Sequence, residues 1–107
     1  MKILKISKII GKTSAVLHSD GLKTYELLRT SGERITLSFK DITHCTTAFL
    51  NASLGKFIIE IKGKNIVVEF SNLNTDIRNK IDLVLENARN EKKMTSLDSS
   101  ARGYFYA

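Results

Sequence analysis

The sequence predicts an α/β fold: a single small domain with a mixed, mostly parallel sheet of about three to five strands and about three helices. Segments whose apolar residues alternate, as in strands, are followed by segments whose apolar residues recur at helical spacing. Such alternation implies parallel strands joined by crossover helices. The chain has 107 residues, 42% of them apolar, and no proline, so we expect one hydrophobic core.

The amino-terminal segment predicts two strands. Residues 2–10 alternate imperfectly between apolar and polar side chains, as a half-buried strand does. Gly11 interrupts the alternation, and residues 13–17 (TSAVL) are again β-branched and apolar. We therefore expect a hairpin that turns at Gly11 and Lys12.

The next segment, HSDGLKTYELLRTSGE, predicts the first helix. Ser19 or Asp20 can cap its amino end by accepting a backbone N–H bond, and Ser31 with Gly32 suits its carboxyl end. Its apolar stripe consists of Leu22, Tyr25 and Leu28. Residues 34–39 (RITLSF) alternate again and predict a strand.

A second helix is predicted from the apolar positions that follow. Its stripe has helical spacing and consists of Leu50, Leu54, Phe57, Ile58 and Ile61. Small residues around the stripe predict a close approach to a sheet; they are Ala48, Ala52, Ser53 and Gly55. Residues 65–70 (NIVVEF) are almost continuously apolar, as in the central strand of a parallel sheet.

The last helix is predicted to begin after Asn74, whose side chain can cap it. Its apolar stripe consists of Ile77, Ile81, Val84, Leu85 and Ala88. The residues expected to face water are Asp76, Arg78, Lys80, Asp82 and Glu86. Periodicity is then lost, so we expect a domain of residues 1–90 and a mobile tail of residues 91–107. The Tyr104-Phe105-Tyr106 cluster of this tail is a candidate for docking on a neighbouring surface.

The composition argues against several kinds of site and segment. Cys45 is the single cysteine, so no intrachain disulfide forms, and no cysteine–histidine cluster has zinc spacing. No stretch approaches the ~18 consecutive apolar residues of a membrane span, and we expect no signal peptide. The net charge of +6 permits acidic protein or nucleic-acid partners, although the basic residues are spread along the chain. We expect a cytoplasmic protein without cofactor, metal or membrane partner.

The segment KDITHCTTAFL places two hydroxyls and the cysteine where a strand gives way to a helix. Thr46 and Thr47 have three interpretations: a helix cap, a phosphoacceptor, or direct contact with a partner. Cys45 and His44 do not suit nucleophilic catalysis, because neighbours in an extended segment point to opposite faces. We therefore expect no catalytic residue and no enzymatic activity.

Two blocks of the sequence resemble the STAS-like domain of small bacterial proteins, which is related to sulfate transporter and anti-sigma factor antagonist domains. The first block is ITLSFKDITHCTTAFLNASLGKF, with its Thr-Thr-Ala-Phe and Gly-Lys motifs. The second is NIVVEFSNLNTDIRNKIDLVLENA, with its Asn-x-Asn segment. The resemblance implies a STAS-like fold and a regulatory protein-interaction module without catalytic activity.

The resemblance also implies a partner and a binding site. The expected partner is an anti-sigma-type regulator or a histidine-kinase-like ATPase, bound through the strand-to-helix junction. The residues expected to bind it are Asp41, His44, Thr46, Thr47, Phe49 and Asn51. In anti-sigma antagonists a serine at the start of this helix is phosphorylated, and the aligned residue here is Ala48, which has no hydroxyl. The alternative function is a small basic domain that binds nucleic acid, a nucleotide or another anion.

Overall fold

Strands and helices alternate along the chain as the sequence predicts. The computed structural model describes residues 2–95, and the side chains of residues 2–88. The elements in chain order are β1 (Lys2–Lys5), α1 (Ile6–Ile10), β2 (Ser14–Ala15), α2 (His18–Arg29), β3 (Arg34–Ser38), β4 (His44–Cys45), α3 (Thr47–Leu50), a π-helical turn (Asn51–Gly55), α4 (Lys56–Glu60), β5 (Val67–Ser71) and α5 (Thr75–Thr95). We call residues 47–60, from α3 through α4, the central helix. The predicted α/β class is confirmed.

A three-stranded parallel sheet organises the fold. Its strand order is β1-β3-β5, and both neighbouring pairs are parallel. Leu4, Leu37 and Phe70 are in register across the three strands and face the hydrophobic core. A second, two-stranded parallel sheet pairs β2 with β4.

The predicted amino-terminal hairpin is wrong. β1 ends at Lys5, and residues 6–10 form α1, which buries Ile6 and Ile10. Gly11 ends this helix in the left-handed conformation, with φ of 72°. The sequence pattern misleads here because apolar residues at i and i+4 suit one turn of helix as well as a strand. β2 then pairs with β4 and not with β1.

β5 is an edge strand, whereas the sequence predicts a central one. β3 lies between the other two strands, and its Leu37 is fully buried. Only one face of β5 packs on the core, so Val68 and Phe70 are half-buried while Val67 and Glu69 are exposed. The apolar run could not show this, because Val67 is apolar and still 45% exposed.

α2 starts earlier than its predicted caps. Its cap position is Leu17, which makes no side-chain cap bond, so the predicted cap at Ser19 or Asp20 is wrong. At the other end, the Ser31 hydroxyl donates to the Leu27 carbonyl at 2.6 Å. A side-chain hydroxyl near the predicted end thus provides a hydrogen bond to a carbonyl group of the last helical turn.

The helices bury their predicted apolar stripes in one core. The apolar residues of the central helix and α5 that are at most 2% exposed are Phe49, Leu50, Leu54, Phe57, Ile77, Ile81 and Val84. Ile58, Ile61 and Leu85 are partly buried against this cluster. The two stripes predicted from helical spacing therefore do face the interior.

Two contacts between helices fix the position of the central helix. At Gly21 in α2, an added Cβ atom would lie 2.6 Å from the Phe49 carbonyl oxygen and 2.7 Å from Ala52 Cβ. At Gly55, an added Cβ atom would lie 3.2 Å from Val84 Cγ1 in α5. The small residues of the central helix therefore permit close approach to α2 and α5, and not to the sheet as predicted.

A polar cluster joins α2 to the end of α4. The Tyr25 hydroxyl donates a hydrogen bond to the Glu60 carboxylate, and Arg29 Nε lies 3.1 Å from Glu60 Oε2. Lys56 Nζ lies 4.6 Å from the centre of the Tyr25 ring. The hydrogen bond to Glu60 raises the pKa of Tyr25, and the same bond lowers the pKa of Glu60.

α5 begins where the sequence predicts and extends beyond residue 90. The Ile77 N–H group donates to Asn74 Oδ1 at 2.8 Å, which confirms the cap. The helix continues to Thr95, so residues 91–95 are helical. The Tyr104-Phe105-Tyr106 cluster lies outside the described residues, and the division of the chain at residue 90 stays a prediction.

Gly21→Ala should destabilise the protein by about 1–3 kcal/mol, because the new methyl group would overlap backbone and side-chain atoms of the central helix. Glycine to alanine in a helix interior ordinarily stabilises by about 0.5–1 kcal/mol, so the sign of the effect is diagnostic. Chemical denaturation followed by circular dichroism measures it. Lys23→Ala, at an exposed position of the same helix, is the control and should change stability by less than about 0.5 kcal/mol.

Tyr25→Phe should lower the free energy of unfolding at neutral pH. In the alkaline range, the free energy of unfolding of the variant should change less with pH than that of the wild type. The Tyr25 hydroxyl donates to Glu60 only when protonated, and folding raises its pKa. Its contribution is therefore complete below the ordinary value of 10.0 and is lost as pH rises through the folded value. Denaturation at several pH values tests this; an equal loss of stability above pH 10.0 in both proteins would contradict it.

Candidate functional site

The junction between β4 and the central helix lies against the segment that precedes α2. In the β2–β4 ladder, His44 pairs with Ser14 and Cys45 pairs with Ala15. The Thr46 N–H group then donates to the Ala15 carbonyl at 3.0 Å. Since successive residues of a strand alternate, His44 is exposed while Cys45 points into the core.

Thr46 is the helix cap. Its Oγ1 accepts a hydrogen bond from the Phe49 N–H group at 3.2 Å and donates one to the Val16 carbonyl at 3.0 Å. The cap thus ties the start of the central helix to the segment before α2. A phosphate on Thr46 would replace the hydrogen that this bond requires, so modification there would break the tie.

Thr47 and Ala48 occupy the first turn of the central helix. Thr47 is half-buried, and its hydroxyl makes no hydrogen bond within residues 2–95. Ala48 is exposed, so the position aligned with the phosphoacceptor serine of antagonists lies at the surface without a hydroxyl. Of the two threonines, Thr47 is the one that a modification could reach without removing the cap.

The other residues predicted to bind a partner differ in exposure. Asp41 adopts φ of 69°, and its carboxylate lies 3.3 Å from Lys5 Nζ. His44 and Asn51 are exposed, the latter at the start of the π-helical turn. Phe49 is 0% exposed and packs in the core, so it does not fit the predicted role in direct contact.

Lys80 supports the junction from α5. Its Nζ donates to the Cys45 carbonyl at 3.0 Å and pairs with Asp76 Oδ2, also at 3.0 Å. The sequence predicts that Lys80 faces water, but its side chain is only 35% exposed. The long aliphatic stem reaches back to the end of β4, a contact that helical periodicity cannot show.

Two exposed apolar residues beside the cap were not predicted from the sequence. Val16 and Leu17 are 40% and 50% exposed, and the Val16 carbonyl accepts the hydrogen bond from Thr46. Their adjacency indicated only that one of the two is exposed, because neighbours in an extended segment point to opposite faces. We call the following set the junction surface: Val16, Leu17, His44, Thr46, Thr47 and Ala48.

Cys45 is a buried thiol. Burial raises the pKa of Cys45 to about 12, although the nearby Lys80 ammonium opposes the shift. The thiolate is therefore scarce at neutral pH. Among the side chains of residues 2–88, no group of histidine, cysteine and acidic residues has the arrangement of a metal site, and no helix in the described part of the chain combines the length and apolar character needed to cross a membrane.

The Asn-x-Asn segment of the second sequence block has a structural role. Asn72 adopts φ of 58°, and its Oδ1 accepts a hydrogen bond from Ser38 Oγ at 3.3 Å, which links the ends of β5 and β3. Asn74 caps α5. The motif thus fixes the chain where it passes from the sheet into the last helix.

Comparison with known families identifies the domain. A family model described as the STAS-like domain of unknown function (DUF4325) matches residues 22–78, which is more than half of the chain. The chain belongs to this STAS-like family. No curated protein and no solved structure matches it. The match begins within α2 and contains β3, β4, the central helix, β5 and the start of α5, so Thr46 and Gly55 lie within the STAS-like region, whereas Gly21 and Val84 lie outside it.

Thr46→Ala should lower the free energy of unfolding by about 1 kcal/mol, because the Phe49 N–H group loses its acceptor. Thr46→Ser should retain most of the stability, since the hydroxyl remains. Thr47→Ala is the matched control and should change stability by less than about 0.5 kcal/mol. Denaturation by urea measures all three; equal effects at the two positions would show that Thr46 does not act as the cap.

Proposed function

We propose that this STAS-like domain is a non-catalytic regulatory module of the cytoplasm that binds a partner protein through the junction surface. The observation that carries the proposal is the exposed apolar pair Val16 and Leu17, bordered by the polar side chains of His44 and Thr46. Apolar residues surrounded by polar ones are typical of protein–protein interfaces.

Several hydrogen bonds fix the conformation of the junction surface, which supports a role in binding. The Thr43 and Thr46 N–H groups donate to the Thr13 and Ala15 carbonyls, at 2.8 and 3.0 Å. The same turn makes two further contacts. The Thr46 side chain caps the central helix, and Lys80 donates a hydrogen bond to the Cys45 carbonyl. A surface that is ordered before association loses less conformational entropy when it binds.

The resemblance to anti-sigma antagonists favours an anti-sigma-type regulator or a histidine-kinase-like ATPase as the partner. The net charge of +6 favours an acidic surface on that partner. Regulation by phosphorylation would act at Thr47, where a phosphate adds about −1.5 to −2 charges at the start of the helix. Burial raises the pKa of the Cys45 thiol, which argues against a role for Cys45 as a nucleophile.

Leu17→Asn separates binding from folding and is the sharpest test. Leu17 holds the cap position of α2 with φ of −80° and ψ of 141° and makes no side-chain cap bond. Asparagine is a favoured cap residue, so the variant should be as stable as the wild type or up to about 1 kcal/mol more stable. It should nevertheless lose the partner, because an exposed apolar side chain of the junction surface is gone.

The measurement is co-purification of the tagged full chain from its native cells, with identification of the bound proteins by mass spectrometry. Leu27→Asn removes another exposed leucine of α2 and is the matched control, which should keep the partner. Equal recovery of the partner with Leu17→Asn would exclude the junction surface. Recovery of nucleic acid alone, released at moderate salt, would instead favour the alternative function.

A further inference from the structure

A second concave surface lies between the central helix and α5. This groove encloses about 460 Å³. Its floor is formed by Gly55, Val84 and Ala88, all of which are buried. Because Gly55 has no side chain, Val84 packs close to the helix backbone, and the floor of the groove is apolar.

Two asparagines flank the floor. Asn51 and Asn87 line the groove from opposite helices, and both are exposed. Neither side chain makes a hydrogen bond to the described part of the chain. A carboxamide carries a donor and an acceptor side by side, as a peptide unit does, so it can pair with the N–H and C=O groups of an extended peptide. We call the groove between these residues the amide groove.

The local backbone sets Asn51 apart from its neighbours. The π-helical turn runs from Asn51 to Gly55, and the other four residues of the turn are buried. Isolated π-helical turns within α-helices occur frequently at functional sites. An added Cβ atom at Gly55 would lie 3.4 Å from Asn51 Oδ1, so the Asn51 carboxamide lies beside the glycine at the edge of the floor.

The remaining lining residues define the chemistry of the ligand. Ile59 is 38% exposed and offers an apolar wall beside the floor. Among the described residues that line the groove, Lys56 is the charged one, and its ammonium lies 4.6 Å from the centre of the Tyr25 ring. The amide groove therefore combines one aliphatic contact, two peptide-like amides and one positive charge.

We infer that the amide groove binds an extended, acidic peptide segment of a partner protein. Asn51 and Asn87 pair with the peptide backbone, Ile59 contacts one aliphatic side chain, and Lys56 attracts an acidic residue. The inference rests on the proposed function in one respect, since both take the domain to bind proteins. It nevertheless concerns a surface outside Val16, Leu17 and the helix cap.

The test is selection of random, display-borne nonapeptides on the full-length wild-type chain, followed by binding measurements with the synthetic peptides recovered. The enriched peptides should share one aliphatic and at least one acidic residue. Asn51→Ala and Asn87→Ala should each weaken binding about fivefold, as expected for one lost hydrogen bond. Lys56→Gln should reduce the dependence of binding on salt, and methylation of the peptide backbone nitrogens should abolish binding.

Two controls make the outcome specific. Asn79→Ala removes an exposed asparagine of α5 that does not line the groove, and it should leave peptide affinity unchanged. Leu17→Asn should also leave it unchanged, so failure of the amide groove is distinguishable from failure of the junction surface. The inference is overturned if no peptide is enriched, if the consensus is basic, or if the enriched peptides bind the Asn51→Ala, Asn87→Ala double variant as tightly as the wild type.

Discussion

There is no room for a side chain at Gly21, because an added Cβ atom would lie 2.6 Å from the Phe49 carbonyl oxygen and 2.7 Å from Ala52 Cβ. Because of this contact, α2 packs directly against the central helix. Further along the same helix, Gly55 packs against Val84 of α5. The central helix is thus held between two other helices, and its position determines where the cap at its start and the amide groove beyond it are displayed.

The sequence was most informative where a pattern extends over several turns or strands. The stripe that includes Ile77 and Val84 predicted the inner face of α5, and Asn74 predicted its start. Short segments were ambiguous, since Ile6 and Ile10 suit a helical turn as well as a strand. An apolar run also does not reveal which strand becomes the sheet edge, because strand order depends on connections between distant segments.

The sequence likewise predicted some features of the candidate site and not others. The hydroxyl at Thr46 was predictable as a cap, because capping depends on residues within one helical turn. The contributions of Val16 and Lys80 join residues far apart in the chain and became visible only in the fold. Phe49 illustrates the reverse case: it lies within the motif, yet its ring fills the core, so membership of a motif did not imply exposure.

The central claim is that the central helix forms a rigid support, fixed by its cap and its two glycine contacts. Native-state hydrogen exchange of its amides tests this most directly, from Leu50, which donates to the Thr46 carbonyl at 3.1 Å, to Ile61, which donates to the Phe57 carbonyl at 3.0 Å. The account predicts that these amides exchange only through global unfolding, with an opening free energy equal to the free energy of unfolding measured by denaturation. Exchange through local opening, at a free energy well below that value, would contradict it.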